Sequence, residues 1–311
     1  MTRCLLFLWT VLATSAQMQG QIRVLGIRSS ANFEVGRLYP GSLASIFCTG
    51  LQNIPTLLVA QDQPLPRELA GVRVIFTNNL APPQPAIEAP ILAIANIDGT
   101  LQQINLQVPW ELARSTTAPA GFIPATPVAL NSPGFEVVQN NIHAQGIYEM
   151  TPQSWPVFFV DGSGYVLARH AVDYRVVTPA DPATRDEWIM VYATNLGAVD
   201  HTPADGATAQ TNPLSPVATA TWPSFTYFFP AFSGNRLVNN YMGLAPNTVG
   251  VYQVNIRVPG GQPDGDANLQ LVYNYDCGFF FVHGCGRGNN SLISVTAKLP
   301  VGRVPIAVVK P

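Results

Sequence analysis

The feature that most constrains the fold is a seven-residue phrase that occurs twice in the chain. It reads QINLQVP at residues 103–109 and QVNIRVP at residues 253–259, with 150 positions between the two starts. In both copies apolar and polar residues alternate, which is the pattern of a strand with one face in a core. The final proline cannot donate a further ladder hydrogen bond, so it ends each strand. The phrase therefore predicts two equivalent, half-buried β-strands.

The phrase belongs to a longer internal repeat. SIFCTGL at 45–51 parallels MVYATNL at 190–196, and each is an apolar, strand-like run that ends in a polar turn and a leucine. Each copy then contains further strand-like segments, GVRVIFT at 71–77 in the first and VATATW (217–222) with SFTYFF (224–229) in the second. The matching order and spacing of these segments predict a duplicated domain.

Frequent turns predict an all-β fold. The chain has 311 residues, and its 28 prolines and 25 glycines are spread so evenly that long helices find little room. The sequence DGSG at 161–164 lies between two apolar runs and predicts a hairpin. Many short alternating strands are typical of β-sandwiches of immunoglobulin-like type. We therefore expect two tandem immunoglobulin-like β-sandwich domains, at 17–151 and 152–302, followed by a C-terminal tail at 303–311.

The N-terminus predicts export. Arg3 supplies a positive charge, CLLFLWTVL at 4–12 is a short apolar run, and ATSA at 13–16 offers small residues to a signal peptidase. The apolar run is too short to span a bilayer, and no later segment is long enough to do so. We expect a signal peptide at 1–16 and an exported protein that is periplasmic, at the cell surface or extracellular. No transmembrane span is expected after signal cleavage.

Cysteine usage is consistent with export. Cys277 and Cys285 bracket the segment CGFFFVHGC, and a hairpin there would bring them together as a disulfide in an oxidising compartment. Cleavage of the signal peptide would remove Cys4. Cys48 lies in an apolar strand pattern and is expected to be a small buried side chain, the alternative being a free reactive thiol.

Composition and motifs argue against several functions. Charged residues make up 11% of the chain and lysine occurs only at 298 and 310, so no nucleic-acid partner is expected. The sequence has no G-x-S-x-G elbow, zinc-binding motif or P-loop, and we predict no catalytic residue, metal site or cofactor. DGDAN at 264–268 begins like a calcium loop, but Leu269 and Tyr275 replace the glycine and glutamate that such a loop needs. The protein is predicted not to be an enzyme.

Two kinds of side chain are candidates for binding. WPSFTYFFPAF at 222–232 and the segment at 277–285 are rich in rings, and exposed rings on a sandwich can stack on sugars. Trp222, Phe279 and Phe281 are therefore candidate ligand-binding residues, the alternative being core or inter-domain packing. The Gln and Asn of the repeated phrase are expected to form hydrogen bonds with loop backbone and so to brace their strand. The alternative is a polar ligand surface, but a protein would rarely need the same ligand site at the equivalent position of both domains.

Seven sequence blocks resemble a family of exported proteins of unknown function, common in soil acidobacteria, that carry a conserved C-terminal tandem immunoglobulin-like domain. The blocks lie at 41–51, 103–109, 161–164, 188–199, 205–215, 243–259 and 265–271. The resemblance covers about residues 40 to 300, and it implies export and paired immunoglobulin-like domains without any catalytic residue to carry over. The chain departs from the family in extra loops at 82–97 and 116–133, in NLGA at 195–198, and in an insertion at 277–285.

These patterns favour one function and leave two alternatives open. The favoured function is a non-enzymatic structural, adhesive or protein-interaction module at the cell surface or outside the cell. The first alternative is a carbohydrate-binding module that uses exposed aromatic residues. The second is a hydrolase whose site is assembled from residues distant in sequence. The partner is accordingly expected to be a protein or a polysaccharide.

Overall fold

The computed structural model describes residues 21–33, 38–77, 86–115, 134–148, 156–218, 225–228, 239–276 and 290–302. The strands of the first half are β1 (Arg23–Ser29), β2 (Leu43–Thr49), β3 (Leu57–Val59), β4 (Glu68–Leu69), β5 (Val72–Thr77), β6 (Ile87–Glu88), β7 (Ile91–Asn96), β8 (Leu101–Gln107), β9 (Gly134–Gln139) and β10 (Ile142–Ile147). Those of the second half are β11 (Val157–Phe158), β12 (Ala168–His170), β13 (Trp188–Thr194), β14 (Phe225–Phe228), β15 (Asn239–Leu244), β16 (Tyr252–Arg257), β17 (Gly265–Asp276) and β18 (Asn290–Val301). A 3-10 helix spans Trp110–Ser115. No helix in these ranges is long and apolar enough to cross a membrane.

The first ten strands form two antiparallel sheets. One sheet has the order β1-β2-β8-β7-β3, and the other has the order β10-β9-β5-β4 with β6 paired to β5. When the main strands are lettered A to G along the chain, these orders read A-B-E-D and G-F-C. This is the strand arrangement of a constant-type immunoglobulin domain, in which two such sheets pack face to face.

The last eight strands repeat the arrangement. β11 and β12 both pair with β13, and the sheet continues through β16 to β15, which again reads A-B-E-D. The other sheet, β14-β17-β18, reads C-F-G. The prediction of an all-β fold with two tandem immunoglobulin-like sandwiches is therefore confirmed. The signal peptide, the start of the first domain, its boundary near residue 151 and the C-terminal tail lie outside the described residues and remain predictions.

Each repeated sequence block occupies the same strand in both sandwiches. The repeated phrase is strand E, as β8 and β16, and the block that precedes it is strand B, as β2 and β13. The apolar residues of the phrase are buried in the cores, as the alternation predicted: Ile104, Leu106 and Val108 in one, and Val254, Ile256 and Val258 in the other. The turn at 161–164 is a hairpin, since Val160 and Val166 bridge across it.

Each sandwich has its own core. Phe76, Phe135 and Tyr148 pack against one another in the first, with ring centroids 5.1 to 6.4 Å apart. Cys48 is buried in the same core, so the expectation of a small buried side chain is correct. Tyr252 is fully buried in the second core, where its hydroxyl donates to the carbonyl of Gly197.

The two sandwiches meet at a junction, where backbone groups form hydrogen bonds from one sandwich to the other. Leu43 N donates to Thr194 Oγ1 over 3.1 Å, and Thr194 Oγ1 donates to the Gly250 carbonyl over 3.2 Å. Leu65 N donates to the Gly206 carbonyl over 2.9 Å. Gly206 N in turn donates to Gln107 Oε1 over 2.7 Å.

An indole links the two cores at this junction. Trp110 follows the repeated phrase in the first sandwich, yet its side chain belongs to the core cluster of the second. Its ring lies directly over Gly41, where a Cβ would come within 2.1 Å of the ring. Trp110 N donates to Asp205 Oδ1 over 2.8 Å. The junction therefore shares apolar packing as well as hydrogen bonds.

Candidate binding faces on the two sandwiches

The site residues expected from the sequence lie beyond what the structure describes. Trp222, Phe279 and Phe281 fall outside the described ranges, as do Cys277 and Cys285. Their proposed roles in ligand binding and in a disulfide therefore remain predictions. The described residues point instead to the outer faces of the two A-B-E-D sheets.

Strand B of the second sandwich turns a row of large side chains outward. Ile189, Val191 and Ala193 lie in the core, and successive residues of a strand point to opposite faces of the sheet. Trp188, Met190 and Tyr192 therefore share the outer face, where Trp188 and Tyr192 are partly exposed and Met190 is buried. Sequence reasoning missed this row, although the alternation in WIMVYAT at 188–194 is the signal that could have found it.

Neighbouring strands place polar groups beside this row. On β16, Gln253 lies opposite Tyr192 and Asn255 lies opposite Met190. On β12, Arg169 lies on the other side of Met190. A cation, a thioether, a phenol and two amides thus cover adjacent positions of one sheet face.

The two amides are oriented by each other. Gln253 Nε2 donates to Asn255 Oδ1 over 2.7 Å. This bond fixes both side chains and leaves Gln253 Oε1 as an acceptor and Asn255 Nδ2 as a donor without a partner among the described residues. Gln103 Nε2 and Asn105 Oδ1 make the same bond in the first sandwich, over 2.6 Å. The amides therefore bond to each other rather than to loop backbone, contrary to the sequence-based expectation.

A tyrosine extends the face across strand D of the second sandwich. Tyr241 lies opposite Asn255, and its hydroxyl donates to the Leu244 carbonyl over 2.7 Å. The side chain therefore runs along β15 past Gly243, where a Cβ would come within 2.7 Å of the Tyr241 oxygen. Glycine at this position leaves room for the tyrosine to lie along the sheet.

A turn after strand A holds the arginine and a second ring. Arg169 Nη1 donates to the Tyr174 carbonyl over 3.2 Å, and Tyr174 N donates to the His170 carbonyl over 3.0 Å. Tyr174 is 62% exposed and has a φ of 64°. Burial raises the pKa of Tyr192, Arg169 lowers it and Tyr174 raises it, so these two side chains lie near the Tyr192 phenol.

The first sandwich contains the same turn. Arg28 Nη1 donates to the Phe33 carbonyl over 3.0 Å, and Phe33 N donates to the Ser29 carbonyl over 3.1 Å. Phe33 is 48% exposed and has a φ of 57°. Its ring meets the Phe47 ring edge to face, with centroids 5.9 Å apart. Phe47 lies opposite Gln103, just as Tyr192 lies opposite Gln253.

The outer faces therefore carry one arrangement twice, which we call the first face and the second face. The first face consists of Arg28, Phe33, Phe47, Gln103 and Asn105, and the second of Arg169, Tyr174, Tyr192, Gln253 and Asn255. Their surroundings differ. Ser45 on the first face donates to Asn105 Oδ1 over 2.7 Å, whereas Met190 occupies the equivalent position on the second.

The arginines of the two faces, Arg28 and Arg169, also differ from five other arginines of the chain in their electrostatic surroundings. Carboxylates lie within 4.0 Å of Arg67, Arg73, Arg175, Arg185 and Arg257. Among the described residues, no carboxylate lies that close to Arg28 or Arg169. Their guanidinium groups bind a backbone carbonyl and keep further donors for an anionic group.

Two clusters place a buried titratable side chain beside a carboxylate, a combination that catalytic sites also use. His170 Nδ1 lies 3.0 Å from Glu187 Oε1, and Glu187 also accepts bonds from Thr184 N and Oγ1. Asp205, whose side chain is 1% exposed, lies beside Glu111 in the junction. Burial raises the pKa of Asp205 to about 7, Glu111 adds to the rise, and the Trp110 N–H and Arg67 oppose it.

Comparison with known proteins assigns no family to the chain. No family model matches the sequence, and no curated protein matches it. The chain is similar to a solved structure of titin Ig tandem domains A164-A165, with 11% identity, a TM-score of 0.20, and coverage of 90% of this chain and 97% of that one. It is also similar to dimeric latent PorU from Porphyromonas gingivalis, with 10% identity, a TM-score of 0.22, and coverage of 92% and 24%. The immunoglobulin-like assignment therefore rests on the strand order, and the resemblance to the exported family remains a prediction.

Proposed function

We propose that the protein is a non-enzymatic adhesive module that acts at the cell surface or outside the cell and holds an extracellular polymer. The observation that carries the proposal is the arrangement of arginine, two rings and two amides that recurs on the outer faces of both sandwiches. A polymer with a repeating unit is the ligand that two equivalent faces on one chain would serve.

Backbone strain supports a binding role for these faces. A ring-bearing residue with positive φ is an outlier, and such strain persists where the surrounding structure holds it in place. Phe33 and Tyr174 both adopt this conformation while they remain 48% and 62% exposed. Burial therefore compensates for little of the strain, which is the behaviour expected of residues that are held ready for a partner.

Co-sedimentation tests the proposal. The purified chain is mixed with the insoluble envelope and extracellular polymer fraction of the producing cells, and the pellet is assayed for bound protein. We expect saturable binding that the double variant Arg28→Gln/Arg169→Gln loses.

The matched control is Arg73→Gln, which changes an arginine on the opposite sheet that pairs with Glu88. It is expected to sediment like the unmodified chain. A protein that stays in the supernatant at every polymer concentration would show that the adhesive function is wrong.

A further inference from the structure

We infer that the two faces bind the same carboxylate-bearing polysaccharide, each face taking one segment of the polymer. The inference rests on the proposed adhesive function and names its ligand class.

The anionic preference comes from the arginines. Arg169 is exposed, is held by the Tyr174 carbonyl, and has no carboxylate within ion-pair distance among the described residues. Arg28 is held in the same way by the Phe33 carbonyl. A guanidinium has five donors in a planar fork, which suits a carboxylate better than a neutral hydroxyl. Each turn thus holds the guanidinium group of its arginine beside the corresponding face.

The sugar preference comes from the groups around each arginine. Gln253 Oε1 and Asn255 Nδ2 offer one acceptor and one donor, which matches a hydroxyl that both donates and accepts. Tyr192 lies beside this pair, and on the first face the ring of Phe47 lies beside the equivalent pair. Rings next to fixed amides can cover the apolar face of a sugar while the amides bond its hydroxyls.

The preference for a repeating ligand comes from the duplication and from the contact between the faces. The turn of the first face touches the second sandwich, because Val160 N donates to the Ala31 carbonyl over 3.4 Å. Phe159, the residue before Val160, hydrogen-bonds to the Tyr192 carbonyl of the second face over 3.1 Å. These two bonds place the first turn close to the strand that carries Tyr192. We therefore expect one polymer chain to reach both faces, and linked binding then exceeds the affinity of either site alone.

The decisive experiment measures stoichiometry and affinity with defined probes. Short oligogalacturonates are titrated calorimetrically into the full chain, and long polygalacturonate is tested by surface binding. We expect two equivalent sites for the oligomer, and one site for Arg28→Gln or for Arg169→Gln. For the long polymer, each single variant is expected to lose at least roughly tenfold in affinity, because the avidity of the second face is gone.

Three controls keep the result interpretable. Carboxyl-reduced polygalacturonate retains the sugar but lacks the charge, and it should bind at least roughly tenfold more weakly than the native polymer. Arg73→Gln should retain both sites. Tyr174→Asn should remove the second site while keeping or raising the unfolding temperature, because asparagine tolerates positive φ better than tyrosine. A drop in unfolding temperature with unchanged stoichiometry would assign Tyr174 a structural role and overturn its part in binding.

The inference and the proposed function can fail separately. If the chain sediments with the envelope fraction but binds native and carboxyl-reduced polymers equally, the anionic ligand class is wrong and the adhesive function stands. If protease treatment of the envelope fraction abolishes sedimentation, the partner is a protein and the polysaccharide is wrong. If the single arginine variants keep two oligomer sites, the two faces are not the binding sites.

Discussion

Asp205 is a buried carboxyl between the sandwiches, and its protonation couples folding to pH. Its pKa of about 7 lies above the ordinary value of 3.8, chiefly because burial disfavours the charged form. The groups that face it are Glu111, which raises its pKa, and Arg67 and the Trp110 N–H, which lower it. The folded chain therefore holds this proton more tightly than the unfolded chain. The resulting contribution to stability is fully present below about pH 4 and is lost as the pH rises through 7.

The variant Asp205→Asn is expected to flatten this pH dependence. Asparagine keeps an oxygen that can accept from Trp110 N, and its amide replaces the acid proton at every pH. The unfolding temperature of the unmodified chain, followed by circular dichroism from pH 4 to 8, should fall more between pH 4 and 7 than that of the variant. Asp62→Asn, in an exposed loop, is the control and should leave the curve unchanged. Parallel curves for Asp205→Asn would contradict the assignment.

Cys48 is expected to be chemically inert in the folded protein. Burial raises the pKa of its thiol to about 12, and the thiolate is the reactive form. Iodoacetamide at pH 8 should leave the Cys48 peptide unlabelled in native buffer and label it fully in denaturant, as read by mass spectrometry. Rapid labelling of Cys48 under native conditions would mean that the first core opens on the timescale of the reaction.

At the scale of strands and turns, regular elements were predictable and the two candidate faces were not. The alternation of the repeated phrase identifies β8 and β16 because burial follows the same period of two. The turns at 28–33 and 169–174 read RSSANF and RHAVDY, and share only the arginine and a final aromatic residue. Their likeness lies in a left-handed φ and in hydrogen bonds, which no sequence pattern displays.

The predicted ligand-binding residues Trp222, Phe279 and Phe281 lie outside the described residues and remain a prediction, and the candidate faces went unforeseen for a physical reason. Sequence reasoning placed ligand binding at 222–232 and 277–285, because consecutive rings are conspicuous. Each candidate face gathers its residues from strands A, B and E and the turn after strand A, which sheet pairing brings together over large separations in sequence. Near neighbours along the chain are only the arginine and ring of each turn and the two amides, and the sequence analysis assigned the amides to bracing.

The turn before β2 lies in close contact with Trp110, the first residue of the 3-10 helix. Substitution of the glycine in this turn is therefore expected to destabilise the protein. Gly41 has a φ of 78°, and a Cβ added there would lie 2.1 Å from the Trp110 ring. Gly41→Ala adds a strained backbone and a clash with a rigid indole, and should cost more than about 2 kcal/mol in the free energy of unfolding. Gly71→Ala is the control, since its φ is 71° but a Cβ there would meet only one atom, at 3.9 Å. Chemical denaturation of both variants distinguishes the clash from backbone strain alone.

At the scale of the whole molecule, a substitution at a second glycine, Gly250, tests whether close packing at the junction fixes the two sandwiches relative to each other. Gly250 has a φ of 65°, and a Cβ there would lie 2.7 Å from Leu43 Cδ2 and 2.9 Å from the Gly41 carbonyl, both in the other sandwich. Gly250→Ala is therefore expected to loosen the junction while each core stays folded. Small-angle scattering should show a larger radius of gyration, and limited proteolysis should release two halves.

A matched control separates junction loosening from local strain. Gly99 has a φ of 88°, and an added Cβ would find nothing within 4 Å. Gly99→Ala should retain the original radius of gyration and resistance to protease. If Gly250→Ala behaves like this control, the contact between the sandwiches does not determine their relative position.

Trp110 gives the molecule a mechanical property that two independent domains would lack. A load applied to the ends of the chain passes through the junction, and the first sandwich cannot extend past strand E without drawing this indole out of its neighbour's core. Optical-tweezer stretching should therefore show one large rupture that releases both sandwiches, whereas Trp110→Ala should show two smaller ones. The two sandwiches would then resist a pulling force together until the junction ruptures.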